Sequence, residues 1–171
     1  MIVSLRNMTY DELKEKLGKD EKIALWTCSL CIKLCGLGGQ EVAEDLQAKL
    51  QADGYDVPHV ETLGYACHLG YIRDRTKDPM TKPIFDEIDT MVVLTCSDGF
   101  EKAERVFEKR RGKPKRKIIQ LTETVGIGAY SSEQGMRLVN PYPETGLKPN
   151  IEGTPLKKVA EKTGLYADPI T

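Results

Sequence analysis

The sequence lacks the features that mark membrane proteins, secreted proteins and proteins that bind nucleic acid through bulk charge. No apolar run approaches the ~20 residues that a membrane-spanning helix requires. Residues 1–6 do not have the basic and then apolar layout of a signal peptide. The formal net charge of -1 offers no general attraction for nucleic acid or an anionic membrane. We therefore expect a cytoplasmic protein with no membrane span and no nucleic-acid partner.

Groups that perform acid–base catalysis are also scarce. The chain has only 2 histidines, and neither a serine–histidine–acid set nor a paired-carboxylate pattern is evident. His68 stands next to Cys67 and could act as a ligand or a proton relay, although a loop residue with one ordinary hydrogen bond is the simpler interpretation. We therefore do not expect an enzyme that acts alone, and a non-catalytic subunit of an oxidoreductase complex is the better prediction.

What the chain does contain is a globular composition and five cysteines. Its 171 residues are 40% hydrophobic and 30% charged, which predicts one domain, residues 1–171, with a sizeable core. Thiols stay reduced in the cytoplasm, and an odd count of 5 cannot be fully paired. Clustered cysteines in that setting favour a metal site over disulfides.

Three of the cysteines form one compact turn. Cys28, Cys31 and Cys35 have the spacing C-x2-C-x3-C, and a glycine-rich segment, residues 36–39, follows at once. A short apolar run precedes the turn, and a helical pattern with one apolar stripe begins at Gln40. The three thiols are therefore predicted to lie on a strand-to-helix turn.

Strand and helix patterns alternate along the chain, which predicts an α/β fold. We expect a flavodoxin- or Rossmann-like parallel sheet of four to five strands with helices on both faces. Pro58 cannot donate to a strand ladder and marks its strand as an edge strand. The predicted strands are residues 22–27, 55–61, 90–95 and 118–121, with a fifth strand or hairpin arm at 137–139. The other predicted segments are an N-terminal helix (about 9–18), helices at 40–54, 69–75 and 98–110, and an irregular C-terminal extension (about 126–171) that ends in a helix from Thr154.

The remaining two cysteines follow other strands of this predicted sheet. Cys67 comes after the second strand and Cys96 after the third. Because parallel strands end at the same edge, all five thiols should meet at the carboxyl edge, where such sheets bind ligands. Four of the five are expected to be metal ligands. Cys28, Cys31 and Cys35 with Cys67 are the preferred set, and Cys96 is the substitute.

Four thiolates suit either a [4Fe–4S] cluster or zinc. A three-cysteine loop with a remote cysteine favours the cluster, because structural zinc more often uses two separate C-x2-C pairs. The backbone amides of Gly36, Gly38 and Gly39, at the start of a helix, are predicted to point toward the anionic cluster. Zinc is the alternative metal, and five purely structural thiols are the third interpretation.

A dense basic run covers residues 109–117. It could bind nucleic acid or an acidic partner. A solvated helix end and turn is the simpler interpretation, because basic side chains complement the C-terminus of a helix.

The cysteine pattern resembles that of the MetV-type small subunit of methylenetetrahydrofolate reductase. That family has a strand, a C-x2-C-x3-C turn and a glycine pair before a helix, and then single cysteines after the next two strands. The matching residues here are Cys28, Cys31, Cys35, Gly38, Gly39, Cys67 and Cys96, and segment 153–161 is also similar. Unlike many members, this chain has no cysteine after Cys96.

The resemblance implies an iron–sulfur or zinc accessory subunit. Such a subunit would sit against the flavin-bearing catalytic subunit of the reductase, or against another oxidoreductase subunit, and pass electrons in one-carbon metabolism. The alternative is a non-redox assembly module for an oxidoreductase complex, in which zinc only stabilises the loops.

Overall fold

The computed structural model describes residues 1–108 and 114–170, which form two four-stranded sheets and the helices around them. The strands are β1 (Ile2–Arg6), β2 (Lys22–Cys28), β3 (Asp56–Leu63), β4 (Thr90–Leu94), β5 (Lys117–Gln120), β6 (Thr122–Ser131), β7 (Gly135–Pro141) and β8 (Thr154–Pro155). The helices are α1 (Tyr10–Lys16), α2 (Cys31–Leu34), α3 (Gln40–Ala52), α4 (Leu69–Lys77), α5 (Lys82–Glu87), α6 (Ser97–Phe107) and α7 (Leu156–Thr163), with a 3₁₀ turn at Pro143–Thr145. No helix in the described ranges is long and apolar enough to cross a membrane.

The first sheet confirms the predicted parallel core. Its order is β3-β2-β4-β5, and its pairings are all parallel. Pro58 lies on β3, which is an edge strand as the missing amide hydrogen predicted. Every residue of the inner strand β4 is buried, as expected for a parallel strand covered on both faces. These four strands follow the start of the flavodoxin-like order.

The second sheet was not predicted. It is antiparallel, with the order β1-β6-β7-β8. The prediction of an irregular segment from residue 126 onward is therefore wrong where β6, β7 and β8 form. Residues 137–139 belong to a hairpin arm, β7, and not to a fifth parallel strand. The chain is an α/β protein, but it goes beyond the single predicted sheet.

Glycines concealed the antiparallel sheet in the sequence. Gly126 and Gly128 interrupt the strand pattern of β6, and such interruptions usually indicate a loop. In the structure they allow the strands to approach closely: a Cβ built on Gly128 would lie 2.1 Å from the carbonyl oxygen of Arg137 and 2.5 Å from Cγ2 of Val3. Both glycines are therefore required inside the sheet, by close backbone packing.

Alternate residues of β2 face two hydrophobic cores. Ile23 and Leu25 lie in one core together with apolar residues of α1 and α3. Ala24, Trp26 and Cys28 lie in the other core, together with residues of α4, α5, α6 and the antiparallel sheet. The first predicted ligand, Cys28, is therefore at the end of the strand face that packs toward the second sheet.

The basic run 109–117 is only partly described, because residues 109–113 lie outside the described ranges, as does the predicted helix end near Arg110. Arg116 is buried, although the sequence suggested a solvated turn. Its guanidinium donates to the backbone oxygens of Ile88 (2.9 Å) and Phe107 (2.7 Å) and also to that of Phe85. This side chain joins the ends of α5 and α6 at the amino edge of the parallel sheet.

Candidate metal centre

Four connected segments bring the five cysteines to the carboxyl edge of the parallel sheet. Cys28 is the last residue of β2, and Cys31 and Cys35 lie at the two ends of the short helix α2. Cys67 lies in the connection 64–68 between β3 and α4, and Cys96 lies between β4 and α6. The predicted placement of the thiols at one edge is therefore what the fold produces.

The thiols are near enough to influence one another's ionisation. Burial raises the pKa of Cys96, and the neighbouring thiols of Cys67, Cys31 and Cys28 raise it further. Cys67 is exposed, but partial desolvation of its thiol still raises its pKa, with added effects from Asp98, Cys28 and Cys31. Thiols from separate strand ends are thus electrostatic neighbours at one edge.

Cys35 stands on the inner side of this group. Burial, followed by the neighbouring thiols of Cys31 and Cys96, raises the pKa of Cys35 to about 11. Its Sγ lies 4.0 Å from the backbone oxygen of Ile2, and the amide of Ser4 opposes the rise in its pKa. Both contacts come from β1, a strand that the sequence pattern did not reveal. Cys35 is consequently held against the antiparallel sheet.

The other four thiols differ in their exposure to solvent. Cys28 is buried and its Sγ lies 3.6 Å from the backbone oxygen of Gly64, in the connection that carries Cys67. Cys31 and Cys96 are half-buried, and Cys67 is exposed. All five are thiols outside any disulfide. A centre bound here would therefore come closest to solvent beside Cys67.

The thiols do not form a ready-made ligand set for one ion. Within residues 1–108 and 114–170, no three His, Cys, Asp or Glu side chains are grouped closely enough to hold a metal ion. Neutral thiols gain little from close convergence, and metal binding has to remove their protons before they can act as ligands. By donor type the group still fits a thiolate-bound centre, because both zinc and iron–sulfur clusters take cysteine sulfur. Side-chain movement would have to accompany binding.

Two of the three predicted glycine amides have other acceptors. The amide of Gly36 donates to the backbone oxygen of Lys33 at 2.9 Å, and the amide of Gly39 donates to Oγ1 of Thr27 at 2.9 Å. Gly36 and Gly39 have φ values of +77° and +89°, which favour glycine. The glycine-rich segment is thus explained by the turn between α2 and α3, and these two amides are engaged within it.

Gly38 is required for packing. A Cβ on it would lie 2.7 Å from Cγ2 of Ile32 and 2.8 Å from Oγ1 of Thr27. Thr27 is fully buried at the end of β2, and its hydroxyl also donates to the backbone oxygen of Leu94 at 3.1 Å. Thr27 therefore ties the cysteine turn to the neighbouring strand β4.

A cleft of about 590 Å³ opens between strands β1 and β6, the start of α6 and the end of α7. Its lining includes Ile2, whose backbone faces Cys35, and Ser97 and Asp98, which follow Cys96. Ser97 and Thr124 bind each other reciprocally: each backbone amide donates to the other hydroxyl, at 2.9 and 3.2 Å. The cleft thus shares with the thiol edge the residues next to Cys35 and Cys96, although no cysteine is among its lining residues.

Aromatic residues surround the exposed thiol. Tyr65 and Tyr71 are each 51% exposed, and their ring centroids are 6.3 Å apart. The ring of His68 packs on Tyr71 with a centroid distance of 4.6 Å. The contact of His68 with an aromatic ring was not predicted from the sequence.

Comparisons with family models, with curated proteins and with solved structures found no match to this chain. The resemblance inferred from the cysteine spacing therefore stays a prediction, and the function is to be inferred from the thiol site itself.

Proposed function

We propose that this protein is an electron-transfer subunit that holds a [4Fe–4S] cluster with four thiolates at the carboxyl edge of its parallel sheet. The observation that carries the proposal is that five thiols, which follow three different strands, meet at one edge of the sheet and influence one another in pairs. A structural role alone does not require these five side chains to share one edge. When bound, such a cluster accepts and donates single electrons.

The spacing of the cysteines favours a cluster over zinc. A compact C-x2-C-x3-C turn together with single cysteines from two further connections suits a cubane cluster, whereas structural zinc more often uses two separate C-x2-C pairs, of which this chain has only one.

Cys28, Cys31, Cys67 and Cys96 are the four ligands that this arrangement favours. Cys96 is influenced by each of the other three, and Cys67 by Cys28 and Cys31. Cys35 is the spare thiol in this proposal: Cys31 and Cys96 influence its pKa as well, but its Sγ lies against the backbone of β1. This assignment differs from the set preferred on spacing alone.

The chain's own residues would hold the cluster and tune its electrons. The amide of Gly99 favours the ionised form of Cys96, and burial on the inner side limits the access of water to the thiolates. The exposed side at Cys67 offers the shortest path to a partner. We propose that this partner is a flavoprotein of the methylenetetrahydrofolate reductase type or another cytoplasmic oxidoreductase subunit, as the family resemblance implies.

Anaerobic purification followed by iron and acid-labile sulfide analysis tests the proposal. We expect a brown protein with about four irons per chain, whose visible absorption bleaches on reduction and whose reduced form gives an EPR signal. The Cys31→Ser variant should be colourless, while Cys35→Ser should keep the colour. A colourless wild-type protein with one tightly bound zinc would contradict the cluster.

That contrary result would support the second function, a zinc-stabilised assembly module. The contact between Cys28 Sγ and the backbone oxygen of Gly64 favours it, because a single ion there would lock two neighbouring loops together. In that case metal replacement should leave partner binding unchanged, whereas Cys31→Ser should unfold the edge.

A further inference from the structure

A buried carboxylate lies on the edge strand just before the connection that carries Cys67. Glu61 of β3 is only 5% exposed. Its Oε1 accepts from Nε of Arg75 at 2.7 Å, and its Oε2 lies 3.0 Å from Nε2 of His59. Although burial acts in the opposite direction, these hydrogen bonds and the charge of Arg75 keep the pKa of Glu61 below its usual value. Glu61 is therefore an ionised and well-partnered group.

Arg75 connects this carboxylate to α4 and to the turn that follows it. The Arg75 guanidinium also lies 3.4 Å from a carboxylate oxygen of Asp78, and the backbone oxygen of Arg75 accepts from the hydroxyl of Thr81. The C-terminal half of α4 is thereby fixed to the edge strand.

The ion pair holds together the two elements that flank a short connection. β3 ends at Leu63 and α4 begins at Leu69, so the five residues 64–68 span the gap between two elements that Glu61 and Arg75 hold together. Within that gap, the buried Ala66 anchors the connection to the core. The half-exposed Tyr65 lies near the ring of Tyr71 on α4, at a centroid distance of 6.3 Å. The position of Cys67 thus depends on how firmly α4 is held.

We infer that Glu61 and Arg75 are positioning residues that hold Cys67 at the sheet edge. This inference rests on the proposed function for its consequence, which is that breaking the ion pair weakens metal binding through Cys67. Glu61 is buried but the Arg75 side chain is 40% exposed, and a partly exposed ion pair adds little net stability, which agrees with a role in fixing geometry. Outer partners of metal ligands typically change metal affinity by about 10- to 100-fold when removed.

A double-mutant cycle with Co²⁺ as the probe tests whether the ion pair acts through Cys67. The apo protein, Arg75→Ala, Cys67→Ser and the double variant would be titrated while the cobalt–thiolate charge-transfer band is followed. We expect Arg75→Ala to weaken Co²⁺ binding by about tenfold or more. In the Cys67→Ser background the same change should have almost no further effect, because the ligand that it positions is gone. Additive losses would show that Arg75 acts only on general stability and would overturn the inference.

Hydrogen exchange of the apo protein tests the same ion pair without metal. We expect the amides of residues 64–68 to exchange several-fold faster in Arg75→Ala and in Glu61→Gln than in the wild type. Arg75→Lys retains the charge and should restore part of the protection. Unchanged exchange in all three variants would overturn the inference. If Arg75→Ala does not fold, exchange can still be measured in the milder variants Glu61→Gln and Arg75→Lys.

Lys82→Ala is the matched control, since it removes the exposed ion pair of Lys82 with Asp86 on the neighbouring helix α5. It should change neither Co²⁺ affinity nor exchange at residues 64–68, and an equal effect there would contradict a specific role for Arg75. The proposed metal site and the inferred role of the ion pair can be contradicted independently of each other. A wild-type protein that gives no cobalt–thiolate band contradicts the metal site, whereas the exchange measurement still judges the ion pair.

Discussion

The inner and outer halves of the thiol edge are built in different ways. In the inner half, the turn with Cys28, Cys31 and Cys35 follows a central strand and is fixed by Thr27, by close glycine packing and by β1. The outer half is a five-residue connection at an edge strand, with its thiol exposed. The inner half is therefore fixed by hydrogen bonds and packing of the fold itself, whereas the outer half is held through the Glu61–Arg75 ion pair and carries the exposed thiol.

Removing an inner ligand should have the largest effect. We expect Cys31→Ser to abolish metal binding, because Cys31 is near the other proposed ligands, Cys67 and Cys96. Cys35→Ser should retain the metal, since Cys35 is directed toward β1. Iron, sulfide and zinc analysis of the purified variants measures the difference. Loss of metal in Cys35→Ser with retention in Cys96→Ser would restore the ligand set predicted from spacing.

A change at the opposite edge of the sheet should lower stability and leave the thiols unaffected. Arg116→Met removes a buried guanidinium that donates to backbone oxygens at the ends of α5 and α6, and it should cost about 3 kcal/mol because those oxygens lose their donor. Urea unfolding measures the loss, and Co²⁺ titration below the transition should give the wild-type affinity. A large loss of affinity would show that the two edges are coupled.

The sequence predicts those structural features that have a local signal in the chain. Apolar runs and a proline were sufficient for the parallel sheet and for its edge strand. The position of each cysteine after a strand was sufficient to place the thiols at one edge. These features depend on residues that are near one another in the chain.

The parts that were missed depend on distant residues. The pairing of β1 with β6 joins the start of the chain to residues 122–127, and glycines interrupt the second partner's pattern. Two of the three predicted amide donors have other acceptors: the amide of Gly39 donates to Thr27, twelve residues earlier in the chain, and the amide of Gly36 donates to Lys33. The Glu61–Arg75 pair lies in what reads as an ordinary charged segment, and only the fold shows that Glu61 is buried. Spacing alone carries no information about such partners.

Two threonines that are paired in register allow a direct comparison of β2, which leads into the inner half, with β3, which leads into the outer half. Thr27 of β2 pairs with Thr62 of β3. Thr27→Val leaves the backbone oxygen of Leu94 and the amide of Gly39 without their buried partner, which should cost about 1–3 kcal/mol. Thr62→Val removes only an exposed contact with Gln40 and should change the free energy of unfolding by less than about 0.5 kcal/mol. Equal losses in urea unfolding would mean that the hydroxyl of Thr27 has no special structural role.

The smallest expected effect is a pH dependence of the free energy of unfolding that arises from Glu61 in the outer half. The pKa of Glu61 is lowered in the folded protein by Arg75 and His59, so its ionised form stabilises the fold. That stability is fully present above the unfolded pKa of about 4.5 and is lost as the pH falls through the lower folded value. Glu61→Gln cannot titrate, so the difference in unfolding free energy between wild type and variant should shrink as the pH is lowered from 7 to 3. A difference that stays constant over this range would show that the carboxylate gains nothing from its partners, and the outer half would then be held by packing alone.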